Sequence, residues 1–206
     1  MTKLGIYGCG GMGRELLFIA RQQYPELEIV FVEDMEHGSS IFGVPVIRFS
    51  DLTAGDLYIL SMGNGRIRRL LDAKCASYGL VAASLFAPSF IREYDVAIGE
   101  GAVFCHHTMA TVSLKIGKQF QCNRYSYVSH DCVIGDYVTF SPRVSCNGNV
   151  HIEDDVFIGS GAVIRNGTPD KPIVIGTGAV VGMGAIVTGD VAPGVTVVGC
   201  PARPKH

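Results

Sequence analysis

Apolar residues recur at every sixth position through the second half of this 206-residue chain. One column of the repeat is apolar at all twelve of its positions: Ile98, Phe104, Ala110, Ile116, Cys122, Val128, Ile134, Phe140, Cys146, Ile152, Ile158 and Ile164. The column two residues earlier in each repeat is apolar at ten of twelve positions, with Thr108 and Ser126 as the exceptions. Because a helix repeats about every 3.6 residues and a strand about every two, this period indicates neither a helix nor a hairpin. It indicates two inward-facing side chains in each hexad.

Hexapeptide periodicity is typical of a parallel β-helix, a solenoid whose repeats bury their inward side chains only by stacking on neighbouring repeats. Three hexads, or 18 residues, make one triangular coil. The phase breaks after Ile164, where "RNGTPDKP" inserts turn residues, and it resumes at Ile175. We therefore predict an all-β C-terminal domain over 91–206, with a protruding loop near 165–172.

The residues before this repeat follow a different pattern. Apolar strands alternate with helical segments, as in "KLGIYGCGG" followed by "RELLFIARQQ", and "LYILSMGN" followed by "RIRRLLDAKC". This βαβ order is typical of a parallel sheet covered by helices. We predict an α/β half-Rossmann domain over 1–90.

The first predicted strand leads directly into a glycine-rich turn. Gly8, Gly10 and Gly13 satisfy G-x-G-x-x-G, and Gly11 adds a further glycine to the loop. At such a position, backbone amides and the helix N-terminus can approach a phosphate group. The alternative is that the glycines serve only the tight turn and close helix packing. Since a dinucleotide site normally needs two such halves and only about 90 residues precede the solenoid, a mononucleotide is favoured over NAD.

Four polar residues near strand ends extend the predicted nucleotide site. Glu33 and Asp34 close the second strand, where an acidic residue commonly meets a ribose hydroxyl. Asn64 and Arg68 follow the third strand, at the edge where ligands gather in open α/β sheets. The alternatives are that Glu33 and Asp34 are solvated carboxylates, that Asn64 is only a turn residue and that Arg68 is a solvated charge on a helix.

His130 lies in "VSHDCVIGDYVTF" and is predicted to point outward from the solenoid. Gly148 follows one coil later and Val112 precedes by one coil, stacked at a strand spacing of about 4.8 Å. A glycine beside the histidine leaves space and an exposed amide. Acyl transfer requires such a shape, with a base over one point and a backbone donor for the oxyanion beside it. For an isolated outward histidine, the alternative is a solvated surface side chain.

Together these segments resemble a known family. The Ile-Gly hexads look like those of left-handed β-helix acyltransferases, and "VVGCPARP" is similar to the G-x-P-A tail that many of them share. "GCGGMGRE", "FVED" and "MGNGRIR", in that order, resemble the sugar O- or N-acyltransferase family that includes sialic acid O-acetyltransferases and acetyltransferases for nucleotide-linked 4-amino sugars. The resemblance covers nearly the whole chain. It implies a left-handed parallel β-helix, acetyl-CoA as donor, a homotrimer and active sites between neighbouring β-helices.

The resemblance also implies residue roles. His130, in a motif similar to "HDCVIGD", would be the general base, and Asp131 would orient the imidazole and stabilise its charged form. We further expect the Gly148 amide to hold the oxyanion, so that a methyl group there would crowd the thioester. Arg203 and Lys205 are candidates for pairing with coenzyme A phosphates, the alternative being a disordered basic terminus.

Two positions depart from the family's pattern. Thr139 stands where several relatives carry a second histidine, and Met12 stands where the glycine-rich loop often has one, so the contacts of those histidines do not carry over.

No metal is expected. The γ-class carbonic anhydrases bind zinc between β-helices through an H-x4-H pair, whereas the fifth residue after His130 is Gly135. The adjacent His106 and His107 are therefore not expected to bind a metal. His37 and His151 are expected to be solvated.

Composition excludes several other classes. The formal net charge is -2 with no basic block, so neither nucleic acid nor an anionic membrane surface is an expected partner. No apolar run approaches the roughly 20 residues of a membrane span. The seven cysteines form no CxxC pair and are odd in number, which predicts buried thiols and neither a disulfide framework nor a zinc cluster. We expect a soluble, cytoplasmic protein.

Three functions stay open from the sequence. The first is an N-acetyltransferase for a nucleotide-linked amino sugar, expected to be a 4-amino-4,6-dideoxy sugar, working by direct transfer. The second is an O-acetyltransferase acting on sialic acid or another sugar, and the third is a non-catalytic nucleotide-sensing module. The glycine-rich loop favours the first over the second, because a free sugar acid would not need a phosphate cradle.

Overall fold

The computed structural model describes residues 2–34 and 38–205, so His37 lies outside the described residues. The predicted fold class is confirmed, since an α/β domain precedes a left-handed parallel β-helix. The helices α1 (Gly11–Gln23) and α2 (Gly65–Ser77) have 13 residues each, and nothing in the described part of the chain has the length and apolarity of a membrane-spanning helix.

The N-terminal domain is built on one sheet. Its strands are β1 (Lys3–Tyr7), β2 (Glu28–Val32), β3 (Ser40–Ile41), β4 (Val44–Ile47), β5 (Leu57–Leu60) and β6 (Val81–Ala82), with a 3₁₀ turn at Phe49–Asp51. The strand order is β3-β4-β2-β1-β5-β6, and neighbours run parallel except for β3 and β4. Because the chain proceeds to opposite sides of β1, a crevice opens at the carboxyl ends of β1 and β5.

The remaining strands form the three faces of the solenoid. The first face contains Leu85–Phe86, Val103–Phe104, Gln121–Cys122, Thr139–Phe140, Phe157–Ile158, Val180–Val181, Thr196–Val198 and Arg203–Pro204. The second face contains Ile91–Arg92, Met109–Ala110, Tyr127–Val128, Ser145–Cys146, Val163–Ile164 and Ile186–Val187. The third face contains Val96–Ile98, Leu114–Ile116, Val133–Ile134, Val150–Ile152 and Ile173–Ile175. Residues 165–172 form the connection between the second and third faces in one coil, with Thr168 bridged to Lys171.

The domain division predicted at residue 90 falls inside the first coil. Leu85–Phe86 already pairs with Val103–Phe104 on the first face. Leu85 packs outward into the core of the N-terminal domain, together with residues of α1. The repeat is not traceable this far back in the sequence, because Arg92 occupies the apolar column one hexad before Ile98.

The two polar exceptions in the inward columns are buried and hydrogen-bonded. The Thr108 hydroxyl donates to the Cys105 carbonyl at 2.7 Å. The Ser126 hydroxyl donates to the Ser141 carbonyl at 2.9 Å and accepts from the Val144 amide at 3.0 Å. Both therefore fit an apolar interior without an unsatisfied polar group.

The thiols only partly follow the prediction. The described residues contain no disulfide, and the buried thiols are those of Cys75, Cys105, Cys122, Cys132 and Cys146. Cys9 is half-buried. The prediction is wrong for Cys200, which is exposed because it lies in the turn that follows the first-face strand Thr196–Val198.

The corners of the solenoid place residues in the left-handed region at regular intervals. The non-glycine residues with φ between 54° and 62° at these corners are Asp95, His107, Ser113, Gln119, Tyr125, Asp131, Tyr137, Arg143, Asn149 and Asp155. Most are six residues apart, so the sharp turn between faces is a backbone feature of each hexad rather than of one residue type.

Buried hydrogen bonds join the two domains. Arg68 on α2 is 0% exposed, and its guanidinium donates to backbone oxygens of Gln119, Tyr137 and Val138 in the solenoid. One helical turn later, Asp72 accepts from the Tyr137 hydroxyl at 2.6 Å and from the Gln119 side chain. Burial lowers the pKa of Arg68 to about 10, which leaves the guanidinium charged at neutral pH. These charge-assisted bonds fix α2 on the solenoid.

Candidate active site

His130 lies at the corner between the second and third faces, after Tyr127–Val128 and before Val133–Ile134. Its side chain is 50% exposed, and its Nδ1 atom lies 2.8 Å from Oδ2 of Asp131. When the hydrogen is on Nδ1, facing the carboxylate, Nε2 is the atom that can accept a proton. The corner therefore presents a half-exposed base whose tautomer is set by its neighbour.

The backbone of Asp131 explains this contact. Asp131 has a φ of 59°, in the left-handed region that aspartate and asparagine enter more readily than most residues. Its amide donates to the Val112 carbonyl of the preceding coil at 3.2 Å. The turn is thus fixed on the coil below, and the carboxylate lies beside the preceding imidazole.

Gly148 lies directly against the His130 ring. A β-carbon built on Gly148 would lie 2.3 Å from Cε1 and 2.4 Å from Nε2 of the imidazole. The expectation that a methyl group there would crowd only the thioester is wrong, because the methyl group would first meet the ring. Within the described residues, the Gly148 amide donates to no protein acceptor. Gly148 itself is buried, so an oxygen that reaches this amide must approach beside the ring.

The glycine-rich loop divides into two pairs. Gly8 has a φ of 98°, and a β-carbon on Gly13 would lie 1.9 Å from the Gly8 carbonyl oxygen. These two glycines are required by the turn and by the close approach of α1 to β1. A β-carbon on Gly10 or Gly11 would meet nothing within 4 Å. The space beside the first turn of α1 is open there, as phosphate binding at helix amides requires.

The two acidic residues after β2 border this loop. Glu33 accepts a hydrogen bond from the Cys9 amide at 2.7 Å and so supports the loop. Asp34 accepts from the Tyr7 hydroxyl at 2.7 Å and from the Lys74 ammonium at 3.2 Å. The Tyr7 hydrogen bond holds the pKa of the Asp34 carboxyl below its ordinary value, with a smaller contribution from Lys74. Asp34 is therefore a charged, half-exposed carboxylate at the crevice.

Asn64 and Arg68, the two candidates after the third predicted strand, have structural contacts in the protein. The Asn64 side chain accepts from the Ile67 amide at 3.1 Å, so it caps the N-terminus of α2. The prediction that Arg68 contacts the nucleotide is wrong, because its fully buried guanidinium donates to the solenoid. In the sequence, the only indication of this buried polar contact is that Arg68 and Asp72 are four residues apart and so share one face of α2. Sequence reasoning missed it, because a single helix does not reveal what packs against it.

Thr139 belongs to the same domain contact. Its hydroxyl accepts from Arg68 at 2.9 Å and donates to the Gly63 carbonyl at 2.8 Å. Thr139 therefore contributes to docking the N-terminal domain on the solenoid. Met12 is half-buried and packs against the core beside α1.

The basic tail is ordered. Arg203–Pro204 pairs antiparallel with Thr196–Val198, and the Lys205 amide donates to the Thr196 carbonyl at 2.8 Å. The Arg203 side chain is exposed and donates to the neighbouring Ala202 carbonyl. The alternative of a disordered terminus is therefore wrong for the tail up to Lys205, because its backbone is hydrogen-bonded to the last coil.

The other described histidines have local roles. His106 Nδ1 lies 2.9 Å from the Ser89 hydroxyl, and His107 stacks on Tyr125 with ring centroids 5.1 Å apart. His151 is exposed on the third face. Across the residues that the structure describes, no group of three or more histidine, cysteine, aspartate or glutamate side chains is placed to hold a metal ion.

Known proteins share this architecture. Residues 149–189 match a family described as the hexapeptide repeat of succinyl-transferase. The chain is 38% identical over 212 residues to a GDP-perosamine N-acetyltransferase from Escherichia coli, covering 98% of this chain and 96% of the relative. The structure of WeeI from Acinetobacter baumannii superposes with a TM-score of 0.97 at 44% identity, covering all of both chains. The acetyltransferase domain of PglB from Neisseria gonorrhoeae, in complex with acetyl coenzyme A, has a TM-score of 0.89 at 30% identity, covering 98% of each chain.

The hexapeptide-repeat β-helix joined to a half-Rossmann domain is shared with the acetyltransferase domain of PglB, and the protein is an acyltransferase. The chain belongs to the sugar acyltransferase family that contains GDP-perosamine N-acetyltransferase. The predictions of this family and of N-acetyltransferase activity are confirmed.

We expect Gly148→Ala to lower kcat by roughly 10²–10⁴-fold, the usual contribution of a general base, because the added methyl group displaces the His130 ring. The half-exposed ring can move into solvent, so the unfolding temperature should stay close to that of the wild type. Steady-state kinetics and thermal unfolding measure the two effects. Glu26→Ala, at an exposed position in the turn after α1, is the control. An unchanged kcat in Gly148→Ala would show that the ring position seen here is not needed.

Proposed function

We propose that this protein transfers the acetyl group of acetyl-CoA to the amine of a nucleotide-linked amino sugar, with His130 as the general base. The observation that carries this proposal is the arrangement of His130, Asp131 and Gly148 at one corner of the solenoid. The names of two relatives support the substrates: one is a GDP-perosamine N-acetyltransferase, and the other holds acetyl coenzyme A. A GDP-linked amino sugar is therefore the first acceptor to test.

The chemistry follows from this geometry. The amine nitrogen attacks the thioester carbonyl carbon while Nε2 of His130 takes the proton that the nitrogen loses. The Gly148 amide stabilises the negative charge on the carbonyl oxygen, and the Asp131 carboxylate stabilises the imidazolium. The carbon–sulfur bond then breaks. The departing sulfur of coenzyme A takes the proton that His130 received from the amine, and coenzyme A leaves as a thiol. The products are an acetamido sugar and coenzyme A, with no covalent enzyme intermediate.

The acceptor's nucleotide is placed at the crevice of the N-terminal domain. The open space at Gly10 and Gly11 admits the diphosphate to the amides of the first turn of α1. Asp34 borders the crevice as an acceptor for a ribose hydroxyl. Glu33 accepts from the Cys9 amide and so shapes the loop that borders this crevice.

The donor is placed along the corner that carries His130. One coil after Gly148, the 165–172 connection lines a cavity of about 270 Å³, to which Arg165 and Lys171 contribute. The Gly167 amide donates to the Gly148 carbonyl at 3.0 Å, which ties this connection to the active-site corner. Arg165 and Lys171 therefore join Arg203 and Lys205 as candidates for the coenzyme A phosphates.

The assembly we propose is a homotrimer with active sites between subunits. Half of the His130 side chain faces solvent, and exposed apolar side chains lie on the second face, at the corner one coil before His130 and on the third face. These are Ile91 (50% exposed), Met109 (38%), Val112 (37%) and Val133 (41%). A neighbouring solenoid would cover this apolar surface and supply the walls that the corner lacks.

Replacing His130 tests the chemistry. His130→Asn keeps the size of the side chain but cannot accept the proton near neutral pH, so kcat should fall by roughly 10²–10⁴-fold. Calorimetry should still detect binding of GDP and coenzyme A, and stability should change by no more than about 0.5 kcal/mol. His151→Asn is the matched control on an exposed strand. Near wild-type turnover by His130→Asn would show that His130 is not the general base. Separately, faster acetylation of a hydroxyl than of an amine by the wild-type protein would favour the O-acetyltransferase.

Replacing one loop glycine tests the nucleotide site. Gly10→Val fits the fold, because nothing lies within 4 Å of its β-carbon, yet it obstructs a phosphate at the helix amides. We expect a higher KM for the nucleotide sugar and an unchanged KM for acetyl-CoA in steady-state assays. Gly13→Ala is the structural counterpart, and its clash with Gly8 should lower the unfolding temperature. Equal damage by Gly10→Val to both Michaelis constants would contradict a role confined to the acceptor.

Light scattering tests the assembly. The wild-type protein should have the mass of a trimer, and Ile91→Glu should shift it toward the monomer and lower activity, because it places a charge in the exposed apolar surface of the second face. Leu70→Glu is the control, since Leu70 is 72% exposed on α2. A fully active wild-type monomer would refute the shared active site.

A further inference from the structure

An ion pair connects the two domains next to the glycine-rich loop. Arg124 lies at the corner between the first and second faces of the solenoid, and its Nη1 atom is 2.5 Å from Oε2 of Glu15 on α1. The Arg124 side chain is 31% exposed and that of Glu15 is 51% exposed. Such exposed pairs contribute only about 0–1 kcal/mol, so the guanidinium is held in place without being committed to one partner.

Helix geometry places this pair close to the predicted phosphate position. Glu15 follows Gly11, the first residue of α1, by four residues, which is a rise of about 6 Å along the axis. Helical side chains tilt toward the N-terminus, which shortens the distance from the Glu15 carboxylate to the loop. Cys9 and Met12 of the loop also pack on the apolar cluster that contains Cys105, one coil before the Arg124 corner. The loop and this corner of the solenoid are therefore neighbours.

The positive charge at the loop is too small to balance a bound diphosphate, so an additional cation would strengthen binding. A diphosphate carries at least two negative charges, while the amides at a helix N-terminus supply only about half a positive charge. Glu15 lies within the first two turns of α1 and opposes the anion. An arginine has a planar set of donors that can bind two phosphate oxygens at once. Because the exposed pair with Glu15 holds it only weakly, a bound phosphate can compete for the Arg124 guanidinium.

We propose that Arg124 is a ligand of the acceptor's diphosphate, held ready by Glu15 in the unliganded protein. The inference rests on the proposed binding of a nucleotide-linked sugar at the glycine-rich loop. It adds a residue of the solenoid to the nucleotide site of the N-terminal domain. Glu15 then has the opposite effect to Arg124, because it competes with the diphosphate for the same guanidinium.

Calorimetric titration with GDP tests the proposal on a pair of variants. Arg124→Gln should weaken GDP binding by roughly ten- to a hundredfold, the usual loss for a hydrogen bond to a charged group. Glu15→Gln removes the competing carboxylate and should leave GDP binding unchanged or tighter. Guanosine, which has no phosphate, should bind both variants and the wild type alike. Arg124→Lys should recover part of the lost affinity.

The controls separate this role from a structural one. Arg143→Gln replaces an exposed arginine of the next coil, away from α1, and should bind GDP like the wild type. If Glu15→Gln weakened GDP binding as much as Arg124→Gln, the pair would be only a domain contact. The proposal for Arg124 would then fail, while the proposed nucleotide site would stand. Unchanged GDP binding by Arg124→Gln would also overturn the proposal for Arg124. If the wild-type protein bound none of GDP, UDP and dTDP, this inference and the proposed nucleotide site would fail together.

Discussion

A charged group buried between the two domains determines the geometry on which the rest depends. Removing a guanidinium from water costs several kcal/mol unless its donors are hydrogen-bonded, and Arg68 meets this requirement with oxygens from both domains. Asp72, one turn along α2, is bonded by tyrosine hydroxyls from the sheet and from the solenoid. Because two points on one helix are fixed, α2 can neither rotate nor slide on the solenoid. The crevice of the sheet therefore keeps a constant position relative to the catalytic corner.

This rigid arrangement separates two tasks that the proposed reaction combines. The glycine-rich loop borders the corner between the first and second faces, whereas His130 occupies the next corner of its coil. In the proposed reaction, acceptor recognition and proton transfer would thus occur on different edges of one triangular solenoid. Three solenoids packed side by side would bring an edge of each kind together. In the proposed trimer, oligomerisation would then be part of the active-site geometry and not only a source of stability.

Sequence periodicity was sufficient to predict the solenoid, because the inward-facing positions of successive hexads stack into continuous buried columns. The same arithmetic placed His130 beside Gly148. It could not find the first coil, since Arg92 interrupts the apolar column and Leu85 faces the other domain. Nor could it place Arg68, because a helix sequence shows which residues share a face but not what covers that face. The close contact between Gly148 and the imidazole depends on side-chain torsions, which periodicity does not encode.

The left-handed backbone at Asp131 has a further consequence. A turn of this kind accepts asparagine, aspartate and glycine more readily than other residues, and the equivalent corners of the two adjacent coils hold Ser113 and Asn149 in the same conformation. The carboxylate that supports the base is therefore drawn from the residues that the turn would select in any case. One substitution within this small set can add or remove the charge while the coil keeps its shape. The charge beside the imidazole and the shape of the coil are therefore set separately, the first by the side chain and the second by the backbone.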